Sequence, residues 1–103
     1  MPAPALRIWW AAVLLFDEEA LYVASARRLT PIDKRLRVPA KKGILAEAVN
    51  SGNPVYSSRP YSDPELSKFV AFRSCQVLMA VPLRAGFDSY GVIIFGHPDP
   101  DFF

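Results

Sequence analysis

Val38-Pro39, Lys42-Gly43-Ile44, Gly52-Asn53-Pro54-Val55, Asp63-Pro64-Glu65, Ser74-Cys75 and Val81-Pro82-Leu83 punctuate the stretch whose starts and stops decide the fold. Gly43 opens a helix in which Ile44, Leu45, Ala48 and Val49 fall on one stripe at helical spacing. Gly52 suits its left-handed C-terminal stop, and Pro54 prevents continuation. A short strand over 55–57 follows. A second helix is predicted from Ser62 or Asp63: either Ser62 and Glu65 form a capping box, or Asp63 caps with Pro64 in the first helical position. Leu66, Phe69 and Val70 form its inward face. Beyond Arg73, residues 76–83 and 90–96 read as two strands joined by a hairpin around Gly86-Phe87-Asp88-Ser89. Proline breaks a ladder in mid-strand, so Pro82 is expected where pairing stops.

Working outward, the apolar run 8–16, the acidic turn Asp17-Glu18-Glu19-Ala20 and the run 21–26 read as an antiparallel hairpin. In the first strand Ile8, Trp10, Ala12, Leu14 and Phe16 point one way, and Trp9, Ala11, Val13 and Leu15 the other. Both faces are apolar, which predicts a central strand covered on both sides. Residues 27–42 are polar and interrupted by Pro31 and Pro39, with a short strand over 36–38. They suit a sheet edge.

Composition narrows the class. A chain of 103 residues supports one domain, taken here as 1–103 with a core over 7–97. At 51% hydrophobic it is not disordered. The formal charge of +2 hides an asymmetry: Arg27, Arg28, Lys34, Arg35, Arg37, Lys41 and Lys42 face only Asp33, so 27–42 carries +6 and the rest −4. Such a run attracts phosphates or acidic partners, but it equally protects a sheet edge. No aromatic side chain lies within it to stack a base, so no nucleic-acid partner is predicted. The lone Cys75 excludes an internal disulfide and fits a reducing, cytoplasmic setting. Arg7 and the run 8–16 imitate a signal peptide, yet Asp17-Glu18-Glu19 follows instead of a cleavage site. Nine apolar residues are too few to span a bilayer, so no membrane partner is predicted.

The order hairpin, basic connection, short helix bounded by glycines, short strand, helix, hairpin resembles a GAF domain from about residue 7 to the end. The matching residues are Phe16-Asp17-Glu18, Val38-Pro39, Lys42-Gly43-Ile44, Gly52-Asn53-Pro54-Val55, Asp63-Pro64, Ser74, Val81-Pro82-Leu83 and Gly91-Val92-Ile93. The resemblance implies an α+β fold: a central antiparallel sheet of five or six strands with flanking helices. It also implies a sensory or regulatory module that binds an unknown small molecule and signals to an attached or partner output domain, as in two-component systems. Ala46 stands where the family usually has a second glycine, and the family's helices before the first strand and after the last are absent or short. The cyclic-nucleotide signature is missing, Cys75 is followed by Gln76 where bilin binders need a Cys-His pair, and the family's methionine sulfoxide reductases use several cysteines.

The expected function is therefore a small-molecule sensor, not an enzyme, with no catalytic residues, metal or cofactor. The alternative is a ligand-free dimerisation or interaction domain, and a third reading makes Cys75 a redox sensor or nucleophile. Cys75 reads first as core. The sole histidine, His97, lacks a neighbour at ligand spacing, and a Ser-His-Asp triad finds no support. The family architecture places a ligand pocket between sheet and helices near Tyr56, Ser57, Tyr61, Phe69, Phe72, Cys75 and Met79. These residues equally make a filled core. A homodimer is expected, packed through the outer face of the first strand with help from Trp9 or Trp10, the 1–6 arm or the Phe102-Phe103 tail.

Overall fold

The alternating run that follows Trp9 becomes strand β1, Trp10–Asp17, in a computed structural model that describes residues 10–101. It turns through Glu18-Glu19 into β2, Ala20–Arg27. Glu18 takes a φ of 61°, the positive value that a two-residue hairpin demands at its first turn position. The remaining elements are β3 (Arg37–Val38), α1 (Gly43–Ser51), β4 (Val55–Ser57), β5 (Val77–Ala85) and β6 (Asp88–His97), with 3-10 turns at Asp33–Arg35, Pro60–Ser62, Leu66–Lys68 and Ala71–Ser74. Six strands form one antiparallel sheet in the order β3-β2-β1-β6-β5-β4. This is the expected α+β architecture, with β1 central and the basic connection at an edge.

The two faces of the sheet have different neighbours. Across one face run the rows Val23-Leu14-Val92-Pro82 and Ala26-Ala12-Ile94-Ala80-Val55. These pack with Leu45 and Ala48 of α1 and with Leu66, Phe69 and Phe72 of the 3-10 turns into the core. A bulge at Ala24, between Ser25 and Val23, lets Val23 and Ala26 face the same side although three residues apart. Helix α1 ends as expected: Gly52 adopts φ 71° and its N–H donates to the Ala48 carbonyl at 2.9 Å.

Four expectations need correction. The second α-helix does not form, and the segment from Pro60 to Ser74 makes three separate 3-10 turns. An α-helix there would send the Val70 and Ala71 N–H groups to the carbonyls four residues back, but both donate to Asp33, at 2.8 and 3.0 Å. Val70 consequently faces outward, while Phe69 is buried. The β5–β6 hairpin is tighter than predicted, turning at Gly86-Phe87 alone. Pro82 pairs with Val92 inside β5, yet β4 covers β5 only as far as Ala80, so the missing N–H falls where one side of the strand is already open. Finally, the outer residues Ala11, Val13 and Leu15 of β1 are half-buried, not enclosed by a second layer of described residues.

Candidate functional site

Three buried carboxylates build the loop side of the sheet. Asp33 is fully buried and accepts N–H bonds from Thr30, Val70 and Ala71, tying the basic connection to the turns 37 residues later. Asp63 accepts from Glu65 and Leu66 at 3.0 Å each, closing its own turn, and from Ile44 at 2.7 Å in the first turn of α1. Gly43 sits beside it at φ 70°, and a methyl group there would overlap the Asp63 carboxylate. Glu65 Oε2 accepts the Lys41 N–H at 3.1 Å, while its buried Oε1 has no hydrogen-bond partner.

These bonds draw Lys41 and Lys42, just before α1, toward Lys68 in the 3-10 turn 66–68. Together with Pro39, Pro64 and Glu65 the three lysines line a cavity of about 290 Å³. No ion pair joins Glu65 to any of them among the described residues. The lining residues carry three formal positive charges and one negative.

A second concavity lies on the opposite, outer face. Its rows read Tyr22-Leu15-Gly91-Leu83, Ser25-Val13-Ile93-Val81 and Arg27-Ala11-Phe95-Met79-Tyr56. Between β2, β1 and β6 they leave an apolar groove of about 330 Å³ over Ala11, Val13, Ile93 and Phe95, with Arg27 on its wall.

The structure divides the predicted pocket residues. Phe69, Phe72 and Cys75 are all buried in the core, the two rings tilted at 50° with centroids 5.4 Å apart. Ser57 is on the core face beside Leu78, whereas Tyr56 and Met79 pair on the outer face, and Tyr61 is half exposed in its turn. Period-two alternation was the available signal: adjacent strand residues such as Tyr56 and Ser57 cannot share a wall. From the sequence Glu65 reads only as a local capping-box partner and Asp33 only as the one acid in a basic run, because their bonds reach partners 24 to 38 residues away.

Cys75 packs beneath Gly96, where no side chain would fit over its sulfur. Burial pushes its thiol up to about 11, against opposing hydrogen bonds with the backbone of His97 and Val77. At neutral pH it is a thiol, not a nucleophilic thiolate. His97 Nδ1 accepts the Asp99 N–H at 3.0 Å. Among the described residues there is no cluster of three or more His, Cys, Asp or Glu able to hold a metal ion, and no helix is long and apolar enough to cross a membrane.

Comparison with solved structures decides the fold. The GAF domain of a two-component sensor histidine kinase from Bacillus halodurans superposes with a TM-score of 0.74 at 14% identity, covering 91% of this chain and 67% of that one. This is the GAF fold. The GAF domain/HD domain protein from Geobacter sulfurreducens matches at 0.72 with 17% identity, covering 89% and 64%. A type II free methionine-R-sulfoxide reductase from Thermoplasma acidophilum matches at 0.70 with 17% identity, covering 93% and 65%. This chain spans from 52 to 75% of the length of these and similar solved chains, which include enzymes as well as sensor-protein domains. No family model and no curated protein matches the sequence.

Proposed function

We propose that this chain is a regulatory GAF module that takes a small molecule on the loop side of its sheet and self-associates through the outer face, passing a change of state to an output domain. One observation carries the reading: loops and α1 fill one face of the sheet, while the outer face of β2, β1, β6 and β5 keeps an apolar surface and a groove. Four strands about 4.8 Å apart and about 30 Å long project roughly 600 Å². That is close to the roughly 800 Å² each partner buries in an interface of standard size, before side-chain relief is added. Part of this area is the apolar groove over Ala11, Val13, Ile93 and Phe95; the largest apolar patch on a protein is often functional, and a two-fold pair is the commonest way for one surface to cover itself. Trp10 packs on the core side. Trp9, the 1–6 arm and the Phe102-Phe103 tail, also offered by the sequence for this contact, lie outside the described residues.

A thiol raised to about 11 and enclosed by the core weighs against the enzymatic alternative. The test is native mass spectrometry with light scattering on the full chain. Wild type is expected to be a dimer at tens of micromolar, and Ile93→Asp a folded monomer. A wild-type chain that stays monomeric under these conditions overturns the self-association.

A further inference from the structure

We infer that two copies of this chain interlock, the β5–β6 hairpin tip of each seating Phe87 in the outer-face groove of the other and setting Asp88 against the partner's Arg27. The inference rests on the reading of the outer face as the surface for self-association. Residues 84–90 of the hairpin have no flanking strand among the described residues: β4 pairs with β5 no further than Ala80, and β1 pairs with β6 only from Gly91 onward. At the end of this two-stranded arm the Gly86-Phe87 turn holds Phe87 at 99% exposure. Its ring packs on nothing described in its own chain, so a partner's surface is free to select its rotamer. Asp88 beside it is exposed, and neither Asp88 nor the exposed Arg27 forms a salt bridge among the described residues.

The groove offers the complement. It is apolar over Ala11, Val13, Ile93 and Phe95, and Arg27 stands on its wall. A cavity of about 150 Å³ holds benzene, so a concavity of about 330 Å³ takes a phenyl ring together with part of the turn that carries it. An aromatic ring and a neighbouring carboxylate thus meet an apolar floor and a guanidinium. The spacing makes the contact reciprocal. Phe87 and Phe95 are eight residues apart in the chain, which is about 27 Å along the direction of β6. When two outer faces are related by a two-fold axis level with Gly91, β6 runs antiparallel to its copy and each tip reaches the groove at the far end of the other. The same distance keeps a tip from its own groove. Arg84, the cation of the hairpin, does not oppose Arg27, because its guanidinium lies beside Gly52 at the end of α1, on the opposite face of the sheet.

Sedimentation velocity on the full chain measures the dimer dissociation constant. Phe87→Ala alters a side chain that its own fold leaves in water, so the variant folds, and it is expected to weaken the dimer about thirtyfold or more, as loss of an interface anchor does. Asp88→Arg and Arg27→Asp each set like charges against one another at both contacts, and each is expected to weaken the dimer about tenfold or more. Mixed in equal amounts, these two single variants should recover the wild-type constant as a heterodimer, because opposite charges then face each other at both contacts. Damage confined to one variant's own chain is not undone by mixing. A dimer that Phe87→Ala leaves intact while Ile93→Asp abolishes it overturns the interlock and leaves association through the outer face standing. Single variants that stay weakened when mixed overturn the interlock as well. A wild-type chain that is monomeric at tens of micromolar overturns both.

Discussion

Replacing Asp63 by alanine removes three hydrogen bonds at once and tests the argument that carboxylates, not a second helix, organise the loop side. The Glu65 and Leu66 N–H groups that it serves at 3.0 Å are buried, and the Ile44 N–H at 2.7 Å is partly so. Leaving a buried donor unsatisfied costs about 1–3 kcal/mol, and losing a helix cap about 0.5–2 kcal/mol. Allowing for relaxation and water entry, Asp63→Ala is expected to cost about 3–5 kcal/mol. A domain of this size has roughly 5–15 kcal/mol in total, so the melting temperature should fall by about 15–30 °C. Asp63→Asn, which keeps one acceptor oxygen for Glu65 and Leu66, should cost about half as much. Gly43→Ala supplies the internal control, since its methyl group displaces the same carboxylate and adds left-handed strain of about 1 kcal/mol. In a double-mutant cycle the two changes should therefore fall short of additivity by more than 1 kcal/mol. Urea denaturation of the four proteins measures this. Additive costs, or an Asp63→Ala loss below about 1 kcal/mol, would refute the account.

Further outcomes follow from other positions. Gly91→Ala, at φ 157° with the Leu14 carbonyl and the Leu15 Cα where its methyl group would go, should destabilise by about 2–5 kcal/mol because the obstruction is backbone, and thermal melts report it. Asp33→Ala should release the turns at 66–74, seen as loss of hydrogen-exchange protection at Val70 and Ala71 while the β1–β6 amides stay protected. The Cys75 thiol is raised in the folded state to about 11 from 9.0, so the unfolded chain ionises first: stability from this group is full below pH 9 and declines as pH rises toward 11. Wild type should thus lose about 2–3 kcal/mol relative to Cys75→Ala across that interval, and equal pH slopes for the two would contradict the burial argument. The same thiol should resist aromatic disulfide reagents in the native state and support no reduction of free methionine-R-sulfoxide, which a turnover assay checks directly.

The alternation over residues 10–16, the stripe and glycine bounds of α1, and the Glu18-Glu19 turn depend on neighbours within a few residues and are legible in the sequence, whereas the second hairpin reads two residues too long because Asp88 and Ser89 already pair with β5. The edge placement of the basic connection is legible too, because charge and proline exclude it from the middle of a sheet. The segment 62–74 was read as a helix since its apolar spacing suits one, and only the tertiary structure decides otherwise: Asp33, far away in the chain, takes two N–H groups a helix would need. The predicted pocket dispersed for a related reason, as apolar side chains do not announce whether they fill space or line it, and Phe69 and Phe72 fill it. Lys41 and Lys42 read only as part of the basic run, Glu65 as a local capping-box partner, and Lys68 carries no signal of its own. Their convergence exists only once Asp63 and Glu65 have bonded the turns to the start of α1, because hydrogen bonds between distant segments leave no periodicity in a sequence, whereas strands, helix stripes and turns do.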